Sequence, residues 1–434
     1  MAPTPSDLLA SAQTLAADLS ALRRELHRDP EVGLQLPATQ ARILQALEGL
    51  PLEITTGTAL TSVVAVLRGA HPGPAVLLRG DMDALPVVEE NDLPYRSTNG
   101  AMHACGHDLH VAGLVGAARL LAERRDELHG SVIFMFQPGE EHPGGAAPML
   151  AEGLLKAAGV PVVGAYAIHV TPAPAGQVEY AIGPAMASVS ELHVTMHGAG
   201  GHGSQPQAAI DPVPALLDFC TQLQVQVTRS FSVFDPVVVS VTNLRAGEAV
   251  NVIPDRGSMA ATVRTLSTES LTRVKELTRR MAASIAAAHG CTAEYRFVEE
   301  YPVTYNDPEQ TREAARWLGE LLGEDALWAA DAPHMGAEDF SFVAQEVPGT
   351  FVFLGATPAE VDPATAAYSH SPLVLFDDGV LPQQAAMLAH LAFKRLAAPV
   401  GGGDGPGGRP RGRRVPTQSL RADDTTAQRS IRPS

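Results

Sequence analysis

Ser131-Val132-Ile133-Phe134-Met135-Phe136-Gln137-Pro138-Gly139-Glu140-Glu141 carries a run rich in Val, Ile and Phe that ends abruptly on polar residues. Similar runs recur at Ala75 to Leu78, Ala165 to Ile168 and Phe351 to Leu354, with helical segments between them. That alternation predicts a largely parallel sheet covered by helices. Ala75 to Leu78 leads into Arg79-Gly80-Asp81-Met82-Asp83, Ser131 to Phe136 into Gln137-Pro138-Gly139-Glu140-Glu141 and Ala165 to Ile168 into His169. Polar residues from three segments therefore gather just past the carboxyl ends of strands, where open α/β sheets place their ligands.

A chain of 434 residues exceeds the roughly 250 to 300 residues at which single hydrophobic cores stop growing, so two domains are expected. The middle has a different character. Glu191, His193, Thr195 and His197 alternate with Leu192, Val194 and Met196, the pattern of a half-buried strand with one wet face. A Gly-rich turn, Gly198 to Gly203, precedes Asp211-Pro212, which reads as an N-cap with proline at the first helical position. Val237 to Val241 and Gly257 to Thr265 read as strands, and Ser267 to His289 as a long amphipathic helix. The fold class expected is α/β: a mainly parallel-sheet domain covered by helices (1–183 and 298–400), with a smaller α+β domain inserted at 184–297.

A net charge of −17 disfavours nucleic acid as the main partner, because an acidic surface repels phosphate. No run approaches the roughly 18 apolar residues of a membrane span. Met1 to Leu26 reads as an amphipathic helix with no basic region ahead of it, which does not fit a signal peptide, and a cytoplasmic location is expected. Three cysteines are too few for a disulfide framework; Cys220 and Cys291 read as small buried apolar residues. Residues 401–434 turn to Gly, Pro and Arg, and a disordered, solvated tail is expected there.

The chemistry concentrates in His103-Ala104-Cys105-Gly106-His107-Asp108-Leu109-His110 and in Glu140-Glu141. A thiol, several imidazoles and an acidic pair are unfavourable to bring together, and a divalent metal is the common reason to do so. His103, Cys105 and His107 are spaced to project to one side of an extended segment, and from Asp108 the pattern turns helical. Cys105 and His107 can ligate one ion or adjacent ions. Of two neighbouring carboxylates on an extended chain only one faces a given metal, which makes one a ligand and the other a base acting on water. Asp83 and Asp108 are candidates to orient ligand imidazoles; His110 is expected to pack or cap rather than bind.

Asp81-Met82-Asp83-Ala84-Leu85-Pro86, the His103 to Asp108 segment, Gln137-Pro138-Gly139-Glu140-Glu141, Gly200-Gly201-His202-Gly203, Asn251-Val252-Ile253-Pro254-Asp255, Gly336-Ala337-Glu338-Asp339-Phe340 and His370-Ser371-Pro372 occur in an order and spacing that resemble the M20 metallopeptidase-like amidohydrolases. The branch resembled is that of the hippurate and auxin-conjugate hydrolases, and the likeness runs from about Leu22 to Leu396. It implies a dinuclear site for two divalent ions (Zn, Mn, Co or Ni), with Cys105, His107, Glu141, His169 and His370 as ligands and Glu140 as general base and acid. It further implies that the inserted domain makes a homodimer and covers the site, that His202 reaches the partner subunit's site to stabilise an oxyanion, and that Asn251 and Arg264 hold a substrate carboxylate. Ala261 and Gly139 depart from the branch's commoner Gly and Ala without removing a chemical group.

The function expected is hydrolysis of N-acyl or N-aroyl amino acids to a carboxylic acid and a free amino acid. A dipeptidase or carboxypeptidase of the same family would use the same metals. A binding-only relative should lack a ligand or Glu140, and none is missing. A closed structural zinc site should pair its ligands locally, as in C-x-x-C, and Cys105 has no cysteine neighbour.

Overall fold

A computed structural model of the chain describes residues 3–398; the tail expected at 401–434 lies outside them. The four apolar runs are four neighbouring parallel strands. In chain order the strands are β1 (Leu52–Thr56), β2 (Val63–Arg68), β3 (His71–Asp81), β4 (His129–Gln137), β5 (Val162–Pro174), β6 (Val178–Tyr180), β7 (Gly183–Met186), β8 (Val189–His197), β9 (Gly201–His202), β10 (Val237–Ala246), β11 (Val252–Ile253), β12 (Arg256–Thr265), β13 (Thr292–Tyr301), β14 (Thr304–Asn306), β15 (Leu327–Ala329) and β16 (Gly349–Thr357). The large sheet runs β1-β2-β4-β3-β5-β16-β6-β15. Within it β4, β3, β5 and β16 are mutually parallel, β1 and β2 add an antiparallel flank, and β6 lies antiparallel to β16.

Helices α1 (Pro5–Thr14), α2 (Ala16–Arg28), α3 (Pro37–Ala46), α4 (His107–Glu123), α5 (Ala146–Ala151), α8 (Pro308–Leu322), α9 (Phe340–Glu346) and α10 (Leu381–Ala397) cover its two faces, while α6 (Pro212–Ser230) and α7 (Thr268–Ala288) belong to a second, smaller sheet. Successive strand side chains point to opposite faces. Val76, Leu78, Val132, Phe134 and Phe136 therefore join α1, α2, α4, α8 and α10 in one core, while Leu77, Ile133 and Met135 join Met149 of α5 and Phe340 and Val343 of α9 in another. The single helix expected over Met1 to Leu26 is two, broken at Leu15, with Leu8, Ala12, Leu19 and Leu26 turned inward.

Between β7 and β14, which pair with each other, the chain builds a separate antiparallel sheet, β10-β12-β8-β13. Leu192, Val194 and Met196 pack under α6 and α7 against Phe219, Leu223, Val274 and Ala282, and the polar residues between them stay half exposed, as their alternation predicts. The two helices start where expected: Asp211 caps α6 by accepting from Val213 N at 2.9 Å, and Ser267 caps α7 by accepting from Ser270 N at 3.0 Å. Cys291 is buried and Cys220 half-buried, both as free thiols. Among the described residues no helix is long and apolar enough to cross a membrane.

Candidate metal centre

The carboxyl ends of β3 and β4, the middle of β5 and the first turn of α4 converge on one point. Gly106 makes the approach of α4 possible: its φ is +89°, and a Cβ there would lie 2.3 Å from Val170 Cγ2 on β5. Asp83, just past β3, organises the turn after β4. Its two carboxylate oxygens accept from Glu140 N at 3.0 Å and Glu141 N at 3.1 Å. Its carbonyl accepts from His107 Nδ1 at 2.9 Å, which leaves Nε2 for the centre. His169 donates Nδ1 to Val170 O at 2.6 Å, and its Nε2 lies 3.5 Å from Cys105 Sγ. His370 comes from the connection between β16 and α10, its backbone N bonded to Ala104 O at 2.8 Å and its Nε2 3.0 Å from Glu141 Oε1. Apart from glycines, His370 alone among the described residues has a positive φ, +74°, a conformation that costs about 1 to 3 kcal/mol and persists where surrounding contacts hold it.

Buried carboxylates crowd this point. Asp81, Asp83, Glu140, Glu338 and Asp339 are each at most 6% exposed, and Glu141 adjoins them. One guanidinium stands among them: Arg79 lies 2.6 Å from Asp81, 2.7 Å from Glu338 and 3.3 Å from Asp339. Burial, with Glu338 and Glu141 alongside, pushes the Glu140 carboxyl well above the ordinary range. Burial and the two glutamates push the Cys105 thiol up in the same way. Against burial, Asp81 and Asp83 raise His107 to about 10. Glu141 moves the other way, lowered by His370 and His107 against its own burial.

Such an excess of negative charge suits a cation. Among the described residues His107 Nε2 is buried without a hydrogen bond, and five donor sets have their ligand atoms within 4.8 Å of one another; besides the all-carboxylate set Asp81, Glu140 and Glu338, they include Cys105, His107 and His169, then Cys105, Glu141 and His370, then His107, Glu140 and Glu141. Cys105 belongs to two of these sets, so the donors present fit a site for divalent metal. Asp81 also meets His107 and His110, but its oxygens are engaged by His110 Nδ1 and by Arg79. His110 Nε2 accepts from Val170 N at 2.8 Å. His110 therefore has no nitrogen to spare, in keeping with the expectation that it packs rather than binds.

The sequence profile of Peptidase family M20/M25/M40 matches residues 77–394. The chain belongs to this family. It is 38% identical over 374 residues to N-acetylcysteine deacetylase of Bacillus subtilis, covering 86% of this chain and 95% of that protein. It is 37% identical over 379 residues to thermostable carboxypeptidase 2 of Saccharolobus solfataricus, covering 86% and 94%. Among solved structures it is similar to a dinuclear metal-binding peptidase of the M20 family from Bacillus subtilis, with a TM-score of 0.75 and 34% identity over 88% of this chain and 99% of that one. This M20 chain is thus a metal-dependent hydrolase.

Other expected residues of the M20 chain lie elsewhere. Asp108 does not orient a ligand imidazole. It faces away from the centre, 2.7 Å from both Arg23 Nε and His27 Nδ1, because the first turn of α4 presents His107 and Asp108 to different sides. His103 leaves the cluster as well: the segment is a turn rather than extended, and the ring is buried with neither nitrogen bonded, held neutral by burial with its pKa near 3. His202 is exposed, on β9, and pairs with β11 beside Asn251, whose carbonyl accepts from Gly203 N at 2.8 Å.

Two cavities of about 460 Å³ each meet at Glu140 and Glu141. The first is walled by Cys105, His169, His370 and Glu338 together with Met186, Met335 and Phe353. The second is walled by Arg264, Tyr301 and Glu300; neither His202 nor Asn251 lines either one. Arg79, Asp81, Gln137, Glu338 and Asp339 stand in the sequence motifs, but none of them had an expected role at the site. Gln137 Nε2 donates to Asp339 at 2.6 and 2.7 Å, and Asp339 also accepts from Gly145 N and Ala146 N, tying α9 to the β4 turn. The acidic pair Glu338-Asp339 and the Asp81-x-Asp83 spacing were the available signals. Gly139, which departs from the branch's commoner Ala, has φ +74°, and a Cβ there would lie 2.5 Å from Leu34 Cδ2.

Proposed function

We propose that this chain hydrolyses the amide bond of N-acyl or N-aroyl amino acids. The observation that carries this reading is that Glu140 and Glu141 form the common wall of two cavities of opposite character. One has methionine and aromatic side chains for an acyl group. The other has Arg264, whose guanidinium bonds only Thr262 Oγ1 and Val263 O among the described residues and feels Glu300 of the same wall without forming an ion pair with it, for the carboxylate of the amino acid. Cys105, His107, Glu141, His169 and His370 would hold two divalent ions (Zn, Mn, Co or Ni), with Asp83 orienting them. When bound, such ions polarise an amide carbonyl and acidify the attacking water. Glu140, in the shared wall, takes the proton from that water and passes it to the leaving amine.

The segment 184–297 is read as a lid and dimerisation domain. In support, β10 is an edge strand and Phe234 beside it is 95% exposed. His202 of the partner subunit would then stabilise the oxyanion, and Asn251 would hold the substrate carboxylate with Arg264. The name of the deacetylase relative supports an acyl substrate, and that of the carboxypeptidase relative supports a second reading, peptide cleavage. Assays of hippurate and N-acetyl amino acids beside dipeptides separate them. Turnover of the N-acyl compounds is expected, and turnover of dipeptides alone would overturn the first reading.

A further inference from the structure

The lining of the first cavity contains a histidine which the hydrolytic chemistry does not use. His334 precedes the Glu338-Asp339 pair and lines that cavity with Met186, Met335, Phe353 and Tyr368. It is fastened in three ways. Its backbone N donates to Ala185 O at 2.9 Å and its carbonyl accepts from Ala187 N at 3.0 Å, on either side of Met186. Its Nε2 lies 2.7 Å from Glu179 Oε1 on β6. Its ring centroid is 4.4 Å from that of Phe353 on β16.

Phe353 in turn lies 6.0 Å from the ring of His169, so aromatic surface runs without a break from a metal donor to His334. Holding a side chain on a connecting segment this firmly costs conformational entropy; what results is a rigid flat surface at the edge of a substrate-sized hollow. Methionine sulfurs beside it also suit an aromatic guest, since thioether contacts with ring edges are favourable.

We propose that His334 is a specificity-determining residue that lays its ring against a flat, aromatic acyl group, and that Glu179 is a positioning residue that fixes the ring's orientation. The proposal rests on the N-acyl amino acid reading and assigns the acyl half of that substrate to one wall. Two substrates that share a leaving amino acid, N-benzoylalanine and N-acetylalanine, test it on the metal-loaded enzyme. The wild type favours the benzoyl compound in kcat/KM. His334→Ala lowers the benzoyl-to-acetyl ratio of kcat/KM roughly tenfold, chiefly through KM of the benzoyl substrate, the size expected of one aromatic contact plus lost apolar surface. His334→Phe keeps most of the ratio by restoring a flat ring. Glu179→Gln moves the ratio in the same direction as His334→Ala, a change that general loosening of the fold would not produce.

Metal content and thermal unfolding of each variant identify any that do not fold; if His334→Ala is among them, the ratio for Glu179→Gln decides. A ratio that is unchanged in the variants overturns the proposal, as does a wild type with no benzoyl preference or a His334→Phe variant that loses as much as His334→Ala. Wild-type enzyme that turns over neither compound fails the N-acyl reading itself, and the proposal with it.

Discussion

Glu140 and Glu141 are chemically identical neighbours whose surroundings drive them apart. Glu141 is pulled down by His370 and His107 against its burial, while burial, and after it Glu338 and Glu141, push Glu140 up. A carboxylate of low proton affinity suits a ligand, and one of high affinity suits a proton carrier. Glu140→Gln should therefore retain the metal and lower kcat by roughly 10²- to 10⁴-fold, with metal analysis and steady-state rates measured on the same preparation. Retained turnover would move the base elsewhere. The residue types at the centre were legible in the sequence because Cys105, His107, Glu140 and Glu141 sit in two short segments. The Arg79 network was not: Arg79 and Glu338 are 259 positions apart, and nothing local marks either as the other's partner. His103 was misplaced for a related reason, since residue spacing gives direction only once the backbone is known to be extended, and here it turns.

At the scale of elements, legibility followed length and burial. β3, β4, β5 and β16 lie in the middle of the sheet and announce themselves as unbroken apolar runs, whereas β6, β7, β14 and β15, three or four residues long, exist because a neighbour supplies hydrogen bonds. The packing of α10 carries a prediction of its own. His390 of α10 is buried with Nε2 unbonded, and burial, with Lys394 close by, lowers its pKa to about 4. An unfolded histidine titrates near 6.5, so the unfolded chain binds the extra proton first. Stability contributed by the neutral ring is fully present above about pH 6.5 and is lost as pH falls toward about 4, by up to roughly 3 kcal/mol. His390→Leu should flatten that part of the urea-midpoint profile, and an identical slope in variant and wild type would assign the acid sensitivity to other groups.

On the scale of the whole molecule, an acidic chain places a dense group of buried carboxylates, a thiol and imidazoles where two strands end beside the middle of a third and a helix begins. The two hollows on either side of Glu140 and Glu141 acquire a chemical purpose only if cations occupy the donors between them. The most direct measurement is the metal content of the purified protein by elemental analysis, wild type against Cys105→Ala. Two divalent ions per chain in the wild type and a marked loss in the variant are expected, because the thiol belongs to two of the donor sets. An unchanged metal count in Cys105→Ala would contradict the account.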